Sequence, residues 1–193
     1  MTKPRLLKRT QERTFSAHHM LLRAADRACD VATENAPGSL YDKLVAITLS
    51  ALAMEALCNT VGERIVSDWQ DFESSSPIAK LRLLAQHLAI DYRATTEPWE
   101  SAQWLVKFRN KIAHAKPELV IEEIHLTQEQ HDKRLFDIPE SKLEKQITLG
   151  NAKRAVKAVT EIKRLLSQKV PPEHALGLYS DGWSGTTKLT PDA

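Results

Sequence analysis

The chain has 193 residues, a formal net charge of +2 and 42% hydrophobic residues. This size and composition fit one packed domain with extensions, or two very small domains, and they exclude wholesale disorder and a global polycation. With only 6 glycines and 6% aromatic residues, a body rich in Ala, Leu, Lys, Arg and Glu favours helix over sheet.

The N-terminus is basic but lacks the apolar core of a secretory signal. An organelle presequence remains the alternative, although Glu12 and Asp26 disfavour it. No apolar run approaches the roughly 20 residues of a membrane span, so no contact with a membrane is expected. Cys29 and Cys58 lie in apolar helical contexts, which is typical of buried thiols in a reducing compartment. We therefore expect a cytoplasmic protein.

The spacing of apolar residues predicts five helices in the body of the chain. Strong turn residues at 35–38 separate the first helix from the second. The second helix is apolar on every side, so we expect the other helices to surround it. Ser39, Ser76 and Asn151 are expected to cap the second, third and fifth helices, and Pro98 begins the fourth. The predicted helices cover residues 10–33, 40–66, 77–90, 98–115 and 152–169.

An acidic insert separates the fourth and fifth helices. Residues 118–126 alternate apolar and acidic side chains, which predicts either a strand or an extended arm. Residues 127–147 are polar and poorly periodic, so we expect a loop with a helical turn or two. The whole insert, 118–147, is therefore predicted to be irregular.

The C-terminal residues 171–193 contain Pro, Gly and Ser without a helical period, and we expect a flexible tail. Tyr179 and Trp183 are the tail residues that could dock on the rest of the chain. The remainder, residues 1–170, is predicted to form a single helical domain. His18 and His19 point about 100° apart on a helix, so they are not expected to share a metal ion.

A cluster of polar functional groups lies near the end of the fourth helix, in the string RNKIAH at 109–114. Asn110 and His114 are four residues apart and share one helix face, and the long side chain of Arg109 can reach the same region. The helix carbonyls near its end favour a protonated imidazole. A permanent cation, an imidazole that titrates near neutrality and an amide are suitable groups for binding and cleaving a phosphodiester.

This string resembles the R-N-x-x-x-H form of the Rx4–6H motif of the HEPN superfamily. These small all-α proteins include ribonuclease toxins of toxin–antitoxin and phage-defence systems, and other members are non-catalytic binding domains. The resemblance extends to the second helix, where Glu55 and Asn59 interrupt an apolar run, as polar residues facing the motif do in that superfamily. In helix layout it covers about residues 10–168, and the acidic insert is not part of a minimal HEPN bundle.

The resemblance implies an all-α, four- to five-helix bundle of HEPN type, with the irregular acidic insert and the flexible C-terminal tail added. It implies a homodimer whose motif helices meet across a two-fold axis, with RNA as the substrate and an antitoxin or other partner protein as a further ligand. Acid–base cleavage by the 2′-hydroxyl would then need neither metal nor cofactor.

The resemblance also implies a role for each residue of the motif. His114 would transfer protons and Arg109 would hold the scissile phosphate. Asn110 would orient His114 or contact RNA, and Glu55 would pair with Arg109, supported by Asn59. The neighbouring cations would bind RNA, namely Lys107, Lys111 and Lys116.

Two other interpretations stay open. Arg109 and His114 could form a network that only fixes the end of the helix, with Glu55 as a structural partner. The chain could also be a non-catalytic helical module that binds nucleic acid, a nucleotide or a partner protein. The segregation of charge favours the second of these, because residues 118–144 hold eight acidic and three basic residues, whereas 152–169 hold six basic and one acidic.

Overall fold

The computed structural model describes residues 7–35, 39–134 and 137–189. Its described part is mostly helical, with a small two-stranded antiparallel sheet. The helices are α1 Ala17–Glu34, α2 Leu40–Ile65, α3 Pro77–His87, α4 Trp99–Ala113, α5 Gln128–Lys133 and α6 Leu149–Lys169; the strands are β1 Leu7–Thr14 and β2 Gly182–Leu189. Residues 36–38 of the turn predicted at 35–38 lie outside the described residues, as do 135–136 and both ends of the chain at 1–6 and 190–193.

Helix α2 is the centre of the bundle, as its apolar sequence predicts. It packs against α1, α3, α4 and α6. Contrary to the expectation from the sequence, α2 is long and apolar enough to cross a membrane by length and composition alone. However, 50% of its most apolar window is buried inside the protein, and burial by neighbouring helices is what a core helix requires. Its fully buried side chains include Ile47, Met54, Leu57, Cys58 and Val61.

The predicted start of the first helix is wrong. Helix α1 begins at Ala17, and the preceding residues form β1, which is exposed along its whole length. Phe15 lies within the predicted helix, but its side chain is 54% exposed, and the buried face of α1 starts at His18. The all-α prediction is therefore corrected to a helical bundle with one small sheet.

The C-terminal segment, for which no regular structure was expected, contributes the second strand. Strand β2 pairs with β1 in antiparallel register, from Leu7 opposite Leu189 to Thr14 opposite Gly182. The residues before β2 pack on the bundle, where Leu178 is completely buried. Of the two aromatic residues, Tyr179 donates a hydrogen bond of 2.9 Å to the carbonyl of Ser167, whereas Trp183 is 70% exposed.

The acidic insert is mostly irregular, as predicted. Residues 115–127 belong to neither a helix nor a strand, so the strand, one of the two expected alternatives, does not form there. The short helix α5 follows, with a capping box between Thr127 and Gln130. Its six residues correspond to the helical turn or two that were expected there.

Two further helix boundaries differ from the predictions by three residues. Helix α3 ends at His87 rather than at residue 90, because Ala89 adopts a left-handed backbone with φ +51°. Helix α6 begins earlier, because its capping group is the hydroxyl of Thr148, which accepts a hydrogen bond of 3.1 Å from the backbone N–H of Asn151. Both cysteines are free and buried, and burial raises the pKa of the Cys58 thiol to about 12.

Candidate active site

Helix α4 carries the motif, and its buried face fixes the orientation of the polar residues. Ala102, Leu105 and Phe108 are buried at three-residue spacing and hold the helix against the core. The neighbouring positions Arg109 and Asn110 therefore lie at the edge of that face and on the outside of the bundle. Because Arg109 and Asn110 belong to this packed helix, their side chains project from a rigid element.

The guanidinium of Arg109 is held by two side chains. Its Nη2 donates to Oε2 of Glu55 at 3.0 Å, across from α4 to α2. Its Nη1 donates to Oδ1 of Asn110 at 3.1 Å. The ion pair between Glu55 and Arg109 is thus present, as expected. Both side chains remain partly exposed, at 27% and 35%, and a guanidinium has five N–H donors, so further donors can reach a ligand.

His114 is the residue at which α4 ends, and its side chain is exposed. Its backbone N–H donates to the carbonyl of Asn110 at 3.0 Å, which closes the last turn of the helix. Its imidazole has no hydrogen-bond partner within the described part of the chain. Asn110 binds Arg109 and not the imidazole, so the structure does not show the orienting role that was one of the two expected for Asn110.

The cations around the motif are also exposed. Lys107, Lys111 and Lys116 all reach solvent, and Lys111 donates a hydrogen bond of 3.3 Å to Oε1 of Gln146. No acidic residue lies between Lys107 and Pro117 in the sequence. The end of α4 therefore carries several exposed cations, and Glu55 is the carboxylate that pairs with Arg109, a combination that favours contact with a polyanion.

Asn59 does not contact Arg109. It lies one turn after Glu55 on α2, and its Oδ1 accepts a hydrogen bond of 2.9 Å from Nζ of Lys80 on α3. Lys80 is only 1% exposed, and among the described residues its ammonium is in no ion pair. Sequence reasoning missed Lys80, although its position four residues before the buried Leu84 places it on the inner face of α3.

The adjacent histidines of α1 lie against the segment that precedes β2. His18 and His19 contact the backbone carbonyls of Leu178 and Gly177. No group of three or more His, Cys, Asp or Glu side chains that could hold a metal ion occurs in the ranges that the structure describes.

The arrangement at the end of α4 supplies groups for two chemical tasks. A guanidinium anchored by a carboxylate can bind a phosphate and the charge of its transition state. An exposed imidazole can exchange protons with a substrate. Each chain contributes one such imidazole.

Comparison of the chain with family models, with curated proteins and with solved structures finds no match. The likeness to the HEPN superfamily therefore stays a prediction that depends on the motif residues and the helix layout.

Proposed function

We propose that the chain is a metal-independent endoribonuclease of HEPN type that acts in the cytoplasm, in a toxin–antitoxin or phage-defence setting. The observation that carries the proposal is the exposed imidazole of His114 on the same helix end as the anchored guanidinium of Arg109. A network that only stabilised the helix end would use both side chains in internal hydrogen bonds, whereas the imidazole of His114 forms none within the described residues.

The reaction is intramolecular attack by the RNA. One imidazole takes the proton from the 2′-hydroxyl, and the 2′-oxygen then forms a bond to phosphorus. The bond from phosphorus to the 5′-oxygen breaks, and an imidazolium gives that oxygen its proton. The products are a 2′,3′-cyclic phosphate and a 5′-hydroxyl. Arg109 binds the non-bridging oxygens, on which negative charge increases in the transition state.

The acid and the base must be two different groups on opposite sides of the phosphate. A homodimer with two-fold symmetry provides them, because it brings together two copies of His114 and two of Arg109. Lys107, Lys111 and Lys116 then bind the RNA backbone on either side of the cleaved bond, in a salt-dependent manner. Glu55 orients Arg109, and Asn59 supports the same segment of α2 through Lys80.

The test is cleavage of single-stranded RNA in EDTA by the purified chain and its variants. We expect His114→Ala and Arg109→Ala each to lose about 100-fold or more in rate, the usual contribution of one acid–base or charge-stabilising group. The matched control is His87→Ala, because His87 is an exposed histidine at the end of α3, outside both the motif and the insert. Cleavage that survives His114→Ala would remove His114 from the chemistry.

The second candidate is a non-catalytic helical module that binds nucleic acid, a nucleotide or a partner protein such as an antitoxin. The exposed apolar side chains of the insert favour it, because Leu119 and Ile121 are 86% and 73% exposed. An RNA that binds without being cut, with affinity that falls in Lys107→Ala or Lys111→Ala, would select this module over the ribonuclease.

A further inference from the structure

Residues 116–127, called the arm here, belong to neither a helix nor a strand and expose several large apolar side chains. Leu119, Ile121 and Ile124 are 86%, 73% and 46% exposed. Residues 116–126 make no backbone hydrogen bond to other described residues. Exposed large apolar side chains, on a backbone whose N–H and C=O groups are free to pair, are typical of a segment that docks on another surface.

The arm is also acidic. It holds Glu118, Glu122 and Glu123, and the sequence has no Lys or Arg from Pro117 to Asp132. Glu122 lies 3.9 Å from Arg134 in an exposed ion pair, which contributes little. Glu118 and Glu123 are in no ion pair among the described residues. A surface that matches the arm should therefore be apolar and basic.

Such a surface exists between the start of α4 and the first half of α6. It is a cleft of about 600 Å³ whose lining includes Pro98, Gly150 and Ala158. Lys153 and Lys157 are exposed at its rim and are in no ion pair among the described residues. The cleft thus offers an apolar contact surface together with two cations that can bind carboxylates.

The other charges of the cleft are already engaged within the chain. Arg154 lies 3.4 Å from Glu97 and 3.7 Å from Glu100. The carboxylate of Glu161 is paired with Arg164 at 2.6 Å. The unpaired charges of the cleft are therefore positive, whereas those of the arm after Lys116 are negative.

We propose that the arm of one copy docks into the α4–α6 cleft of a second copy, and that the exchange is reciprocal. The arm starts directly after His114, at the end of α4, while the cleft lies at the start of α4. Helix α4 is about 22 Å long, and the 12 residues of the arm can span about 40 Å. The arm can thus reach farther than the length of α4, and two equal contacts between copies close a two-fold dimer.

The contact rests on the proposed function only in that both require a dimer, because it specifies what holds the two copies together. Charge reversal tests it. Variant A carries Glu118→Lys and Glu123→Lys in the arm, and variant B carries Lys153→Glu and Lys157→Glu in the cleft. Each variant alone sets like charges against each other, and we expect its dimer to weaken at least about tenfold.

Mixing the two variants is the decisive step. In a dimer of A with B, the basic arm meets the acidic cleft and the acidic arm meets the basic cleft. We therefore expect the equimolar mixture, and a single chain with all four changes, to recover a species of twice the 21.7 kDa chain mass. Light scattering after size-exclusion chromatography measures that mass. The matched control is Lys169→Glu with Lys188→Glu, which changes the charge equally outside the cleft and should leave the dimer intact.

Each outcome decides the proposal. Dimers of A and of B as stable as those of the wild type would overturn the exchange, as would a wild-type monomer or an arm that binds only a different protein. RNA cleavage by the same samples separates this proposal from the ribonuclease. A dimer that depends on the arm but does not cleave RNA would support the exchange and overturn the proposed ribonuclease activity. A dimer that cleaves RNA and is unaffected by the four charge changes would support the ribonuclease activity and overturn the exchange.

Discussion

At the scale of single residues, Lys80 has the least usual surroundings of the side chains near the motif. Lysine is almost never fully buried without an anionic partner, yet Lys80 is 1% exposed and donates to the neutral amide of Asn59. Asn59 and Glu55 are one turn apart on α2, so this contact stabilises the face of α2 that also holds Arg109.

The contact between Lys80 and Asn59 predicts an asymmetric response to mutation. Asn59→Leu leaves a buried ammonium without its acceptor, so we expect a loss of about 2–3 kcal/mol in the free energy of unfolding. Lys80→Met removes the charge at similar length, and the partly exposed Asn59 amide can turn to water, so we expect a change within about 1 kcal/mol. Urea denaturation of the two single variants and the double variant measures the coupling. An equal loss from Asn59→Leu with and without Lys80 would show that the hydrogen bond is unimportant.

Glu55 and Asn59 on α2 illustrate what the sequence can and cannot predict about the site. Glu55 could be paired with a cation from the sequence, because a carboxylate in an apolar helix requires a partner, and Arg109 is that partner. The partner of Asn59 could not be chosen in this way, because a neutral amide accepts from many donors. The contact of Asn110 with Arg109 depends on side-chain rotamers that spacing does not determine.

At the scale of elements, two neutral histidines of α1 contact backbone carbonyls of the segment before β2. Nε2 of His18 lies 3.4 Å from the carbonyl oxygen of Leu178, and Nε2 of His19 lies 2.9 Å from that of Gly177. A carbonyl only accepts, so each imidazole carries its proton on Nε2. Nδ1 of His19 then accepts from the ammonium of Lys163 at 3.1 Å. Protonation of this nitrogen would set two cations against each other.

This contact predicts that acid weakens the fold. Burial, followed by the neighbouring His19, lowers the pKa of His18 from 6.5 to about 4. Between these values the unfolded chain binds more protons than the folded chain, so stability is complete above pH 6.5 and falls as the pH falls. The expected loss from His18 is about 2 kcal/mol at pH 5. Urea denaturation at pH 7.5 and at pH 5 measures the free energy of unfolding. The difference between these two free energies should be smaller by this amount in His18→Gln than in the wild type.

The control for this prediction is His125→Gln, which changes an exposed histidine outside the contact. It should keep the full pH dependence of the wild type. If His18→Gln keeps it as well, the histidine contact does not couple the C-terminal segment to pH.

The elements also show where local patterns suffice. Ser76 and Pro77 at the start of α3 predicted a boundary that the structure reproduces, because capping chemistry is local. Strands β1 and β2 escaped prediction because β1 has no buried face and hence no apolar alternation. Their pairing joins Leu7 to Leu189, and such a distant partner leaves no mark on either local sequence.

At the scale of the whole molecule, basic and acidic segments follow one another in chain order. Helix α4 ends in a basic surface, the acidic arm follows it, and α6 returns with cations that line the cleft. The helical core was predictable, because α2 is apolar on all sides and its neighbours have one apolar face each. The proposed contact between the arm and the cleft could not be predicted from periodicity, because neither surface is a repeated pattern in the sequence.

The central claim is that one active site needs His114 from both copies, and mixing subunits tests it most directly. Wild-type chain is mixed with His114→Ala at a fixed total concentration, subunits are allowed to exchange, and RNA cleavage in EDTA is measured. Because a shared site needs two intact histidines, the rate should follow the square of the wild-type fraction, about a quarter of full activity in an equal mixture. A rate that falls in proportion to the wild-type fraction, to about half, would show that each copy cleaves alone and would contradict the account.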